Sequence, residues 1–233
     1  MLRWLRALVR ALGFSKENEQ VADRFSKNER MALQEIRADE GYWAITPDGP
    51  MLSYKVPQGT PILGTSGYFD SEGFLTNGIG HRVPGVPKHP ELRNVPAPGF
   101  DMNLEQAGLQ FEDDFAKHLE FAKSAPGWDK ASDRQKRGLM NLTFNMGAGW
   151  WEANPDRDTN KAGWPRFSAA AKAGDWETAS KELVDSEWYR QTGDRAPKVV
   201  SMIKPEIDIG MVSPMDRVSG TPNQGVMRSV GRQ

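Results

Sequence analysis

Two carboxylates stand out in the sequence, Glu40 and Asp70, thirty positions apart (70 − 40 = 30). Asp70 opens the run Asp70-Ser-Glu-Gly73-Phe74-Leu-Thr76-Asn-Gly78-Ile-Gly80-His81. Breaking a bond between sugars needs two such groups with different jobs. One must carry a proton to the leaving oxygen, and the other must stay charged to hold a water or steady a cation. Thr76 adds a hydroxyl close to Asp70.

The elements that must position these groups follow from the hydrophobic pattern. A helix is predicted from Asn28 to Glu40, with Leu33, Ile36 and Glu40 at i, i+3 and i+7. Glu40 then ends the apolar stripe, where partial burial favours the neutral form of a carboxyl. Residues 41–82 read as strands and turns. If Asp70 and Phe74 flank a three-residue hairpin loop, Thr76 faces the same side as Asp70, roughly 7 Å away on the diagonal. A hydroxyl and a carboxylate can then share one water. Gly78 and Gly80 around Ile79 suggest a close backbone approach beneath this site.

Residues 83–100 hold five prolines, at 84, 87, 90, 96 and 98, and read as a semi-extended surface loop joining two lobes. Helices follow. Asn103 with Gln106 and Ser132 with Gln135 are capping-box patterns, the second helix ending near Gly147. Pro165 opens a short helix that stops at Gly174. Asp175 caps a helix carrying Ala179, Leu183 and Tyr189, and a last helix near residues 195–204 is ended by Pro205. Residues 14–27 are a polar connector, and residues 205–233 form an aperiodic tail rich in Gly, Pro and Ser.

The 233 residues carry a formal net charge of −1, with 38% apolar and 26% charged side chains, a globular balance without a global field towards nucleic acid. With no cysteine, disulfides and thiol catalysis are excluded. The three histidines, His81, His89 and His118, match no zinc spacing, so neither metal nor cofactor is expected. Residues 1–13 set Leu5, Leu8, Val9 and Leu12 on one helical face and Arg3, Arg6 and Arg10 on the other. This segment is too short and charged to span a bilayer. It suits a membrane surface or a protein partner, or else packs on its own domain.

Three segments together resemble one family. Asp39-Glu40-Gly41 followed by Asp70, Thr76 and Gly78-Ile-Gly-His81 is similar to the active-site segment of the T-even phage lysozymes, glycoside hydrolase family 24. Asn141-Leu-Thr-Phe-Asn145-Met-Gly147 resembles that family's helix beside the cleft, and Ser186-Glu-Trp-Tyr189-Arg-Gln-Thr-Gly-Asp-Arg195-Ala resembles its C-terminal helical signature. The resemblance covers roughly residues 29–204. It implies an α+β, two-lobed lysozyme-like domain over 28–204, with a small β lobe and a larger helical lobe. It implies Glu40 as general acid, Asp70 and Thr76 as holders of the attacking water, and Asn141 and Asn145 against the saccharide. Asp39 and Arg195 would orient the site, a guanidinium there favouring the charged carboxyl against the pull of burial. His81 and Asp114 would form a structural pair between the lobes. The family keeps its two carboxylates closer in sequence, so residues 41–69 read as an insertion. Its aromatic residues Tyr42, Trp43, Tyr54 and Tyr68 fit an extra hairpin at the cleft mouth, or a docking surface.

The implied activity is inverting hydrolysis of the β-1,4 bond between N-acetylmuramic acid and N-acetylglucosamine in peptidoglycan. Two deployments are weighed: a virion-borne enzyme that opens the wall in the periplasm, attached to tail or other virion proteins through 1–13 and 205–233, and a free endolysin. A catalytically inactive structural adaptor of a phage particle is the reading from another class. A lytic transglycosylase is a third chemistry at the same bond.

Overall fold

In a computed structural model, residues 24–155 and 162–206 are described. The amphipathic segment 1–13 and the tail from 207 onwards lie outside the described residues. Helix α1 (Lys27–Asp39) starts one residue ahead of the predicted Asn28. Ser26 and Glu29 set this boundary by capping each other's backbone N–H groups, a box the apolar pattern alone does not reveal. Ala32 and Ile36 are its buried face. Glu40 is the C-cap, already extended, where the chain leaves the helix.

Residues 43–66 fold into a sheet of their own. Strands β1 (Trp43–Thr46), β2 (Gly49–Leu52) and β3 (Gly64–Ser66) make an antiparallel sheet in the order β2-β1-β3. A second sheet follows from β4 (Tyr68–Phe69), β5 (Leu75–Asn77), β6 (His81–Arg82) and β7 (Val95–Pro96), ordered β6-β5-β4-β7. Strand β7 corrects the reading of 83–100 as loop only: this stretch turns back and pairs with β4, Tyr68 opposite Pro96. Proline is tolerated there because β7 is an edge strand.

The helical lobe comprises α2 (Leu104–Lys123), α3 (Asp133–Met146), α4 (Pro165–Ala173), α5 (Trp176–Val184), α6 (Glu187–Gln191) and α7 (Arg195–Ile203). Both expected capping boxes form, at Asn103 with Gln106 and at Ser132 with Gln135. Gly147 and Gly174, both at positive φ, end α3 and α4 as expected. The single helix expected through Ala179, Leu183 and Tyr189 is instead two. Ser186 accepts from the Tyr189 N–H and starts α6 as a new helix, the sort of local competition serine offers a backbone.

Two apolar clusters hold the molecule. One gathers Leu139, Leu142, Trp150, Phe167, Leu183 and Ile203 within the helical lobe. The other joins α1 to α2 through Ile36, Phe111 and Phe115 and takes in Ile79 from the β5–β6 turn. Burying a side chain of this size contributes about 2–3 kcal/mol. The second cluster therefore ties the Glu40 end of α1 to the glycine-flanked turn that carries His81. The architecture is α+β, with seven helices and two small antiparallel sheets among the described residues.

Candidate active site

The β4–β5 hairpin has the predicted geometry. Tyr68 pairs with Thr76 and Phe69 with Leu75, and the Asp70 N–H donates to the Phe74 carbonyl at 2.9 Å. The loop is Ser71-Glu72-Gly73, and its last residue sits at φ 89°. Counting by twos from this register, Tyr68, Asp70 and Thr76 share one face. All three line a cleft of about 1370 Å³, with Glu40 also on its wall. Across it stand Asn145, Trp164, Trp188 and Gln191 from the helical lobe.

The two carboxylates are held differently. Asp70 Oδ1 accepts from the Glu72 and Phe74 N–H groups, at 2.8 and 2.9 Å, so the loop backbone grips one oxygen. Its Oδ2 lies 3.3 Å from Arg82 Nε. Arg82 in turn lies over the Phe74 ring, at 4.1 Å from its centroid. The Thr76 hydroxyl donates to the Phe74 carbonyl at 3.2 Å, which leaves its oxygen free to accept.

Glu40 faces the other lobe. Its Oε1 takes a charge-assisted bond from Arg195 Nη1 at 2.5 Å. Arg195 Nε donates to Asn141 Oδ1 at 2.7 Å, and the arginine side chain is only 9% exposed. The neighbouring Asp39 pairs with Lys198 Nζ at 2.6 Å. Both pairs join acidic residues at the C-terminal end of α1 to basic residues in the first turn of α7. Each charge stands at the end of its helix that the macrodipole disfavours. Brought together, the two ends neutralise one another. Gly80 abuts Glu40: a Cβ there would stand 3.3 Å from Oε2, and φ is +77°.

Glu40, Asp70, Thr76, Asn145, His81 and Asp114 all reach the cleft, whereas Asn141, Asp39 and Arg195 do not line it. Asn141 was expected against a saccharide. It lies fully buried behind Arg195, because the residues of α3 that face α7 must pack inwards. Of the pair expected on one face, Asn145 alone is exposed to the cleft. Its Oδ1 accepts from Trp188 Nε1 at 2.7 Å, leaving the amide N–H groups as the free donors. His81 Nδ1 and Asp114 Oδ2 sit 2.6 Å apart, and Lys117 approaches the other oxygen at 3.3 Å.

Of the aromatic residues in 41–69, Tyr68 alone lines the cleft. None of residues 41–67 lines it, Tyr42 packs on the α1–α2 cluster, and Tyr54 is 72% exposed elsewhere. Tyr68, the last of the four, belongs to the hairpin itself. Its phenol is held well above the usual range by burial first, then by the charges of Glu40 and Asp70. The sequence places Tyr68 only as aromatic surface at the cleft mouth, and no motif includes Arg82. The two-residue alternation of the hairpin would have found Tyr68, since it falls on the Asp70 face. Arg82 carries no such signal.

No family model matches the chain. It is 30% identical over 151 residues to the pre-baseplate central spike protein Gp5 of Enterobacteria phage T4, a match that covers 58% of this chain. The chain spans about a quarter of that relative's length, 24%. The likeness points to a phage virion protein.

Proposed function

We propose that the chain is a virion-borne lysozyme of glycoside hydrolase family 24 type, hydrolysing the β-1,4 bond after N-acetylmuramic acid in peptidoglycan. The observation that carries this reading is one cleft lined both by Glu40, at the end of α1, and by the Asp70–Thr76 face of a hairpin. The likeness to a phage spike protein supports the virion deployment, with other virion proteins as partners and the periplasmic wall as the place of action.

In this mechanism Glu40, in its protonated form, delivers a proton to the leaving O4 as the C1–O4 bond breaks. Arg195 holds one Glu40 oxygen, so the orientation of the other is fixed. A water between Asp70 and Thr76 attacks C1 from the far face and passes a proton to Asp70, whose second oxygen is fixed by the loop backbone. Configuration at C1 inverts. Protons then re-equilibrate through solvent, restoring both carboxyls.

Clearing of purified peptidoglycan by the wild-type chain and by Glu40→Gln tests the assignment. Loss of clearing in the variant is expected, and equal clearing by both ends the acid role. No clearing by either favours the structural-adaptor reading, for which the spike likeness is the specific support. Probing purified virions for the chain tests its deployment, and absence from particles refers it to free lysis.

A further inference from the structure

The hydrogen-bond inventory of the hairpin leaves the attacking water incompletely held. Asp70 offers only acceptor oxygens. Thr76 has its single proton on the Phe74 carbonyl, so it too can only accept from water. A water between them therefore donates both of its protons. One of its lone pairs must point at C1, and the other has no donor in the Glu40–Asp70–Thr76 set.

The hairpin supplies one. Tyr68 stands directly opposite Thr76 in the ladder and two residues before Asp70, on the same face, and it lines the cleft. We infer that Tyr68 is a third member of the water seat, its phenol O–H donating to the lone pair of the attacking water that does not face the sugar. Asp70 and Thr76 then fix the two protons and Tyr68 fixes the remaining rotation, so the nucleophile is oriented before substrate arrives. The surroundings suit a neutral donor: burial first, then the charges of Glu40 and Asp70, holds the proton on the phenol. Tyr68 is thus a positioning residue, and the inference rests on the hydrolase reading above.

The test is Tyr68→Phe, which removes one oxygen and keeps the ring. Steady-state kinetics on soluble peptidoglycan fragments should show kcat lower by about tenfold, the loss of one hydrogen bond, with KM within about twofold. Thermal unfolding should stay close to wild type. Because Thr76 holds the same water, the double variant with Thr76→Ala should lose less than the product of the two single losses. Unchanged kcat in Y68F overturns the inference while leaving the hydrolase reading intact. So does a loss confined to KM, which marks a substrate contact, or a loss of fold, which marks a core residue. A wild-type chain that releases no fragments removes the underlying reading instead.

Discussion

Arg195→Met is the perturbation that the α1–α7 contact answers most directly. The guanidinium bridges Glu40 Oε1 and Asn141 Oδ1 from a nearly closed site, 9% exposed against 20% for the Glu40 side chain. Methionine retains much of the stem volume but strands the carboxylate and a buried amide oxygen. Removing one partner of a buried pair costs about 3–5 kcal/mol, and the residual exposure of Glu40 places this case at the low end. A lost bond to Asn141 adds about 1 kcal/mol. Arg195 Nη2 is itself buried with no partner among the described residues, and deleting it returns a similar amount. A net loss of about 3 kcal/mol lowers Tm by about 6–12 °C for a chain of this size. Calorimetry or circular dichroism on wild type, R195M, E40Q and the double variant measures it. The double variant should be more stable than the sum of the single losses allows, because neutralising Glu40 removes the stranded charge. A Tm shift under 2 °C for R195M, or strict additivity, would refute the claim that this pair joins the two elements.

Other perturbations read out different parts of the site. Arg82→Gln removes a half-exposed partner of Asp70 (57%), so stability should fall by less than about 1 kcal/mol while turnover falls several-fold, as unfolding and kinetic measurements will show. Gly73→Ala forces a side chain onto φ 89° and to within 2.5 Å of the His89 carbonyl oxygen. A loss of about 2 kcal/mol or more is expected in denaturant titrations, and a neutral effect contradicts the hairpin geometry. Tyr68 gives a pH signature. Burial raises its folded pKa above the ordinary 10.0 of a phenol, so above about pH 10 the unfolded chain releases a proton that the folded chain retains. Stability is then lost as pH rises, by up to about 1.4 kcal/mol per unit until the folded phenol titrates. Wild type should lose stability faster than Y68F between pH 10 and 11 in urea titrations, and parallel curves contradict burial of this phenol.

Much of the site was legible because short-range rules govern it. The loop of three between Asp70 and Phe74 fixes the register, and a two-residue period then places Thr76 with Asp70. The glycine spacing around Ile79 implied a close backbone approach, but not that Gly80 makes it to Glu40. Capping pairs marked α2 and α3. What escaped depends on long-range packing. That Asn141 turns inward to Arg195 while Asn145 faces the cleft is set by how α3 meets α7, and no spacing rule carries that. The partition of Arg195 to Glu40 and Lys198 to Asp39 is likewise a choice between neighbouring charges made by the helix crossing. Strand β7 was hidden because proline-rich composition reads as loop, although an edge strand accommodates proline.

Under the proposed function, water held on the Asp70–Thr76 face attacks C1 while Glu40 protonates the leaving oxygen. Proton NMR of freshly released reducing ends, followed before mutarotation, tests it most directly. The α-anomer of the muramic acid end is predicted to form first. First appearance of the β-anomer, or release of anhydro-muramyl ends in place of reducing sugar, would contradict it.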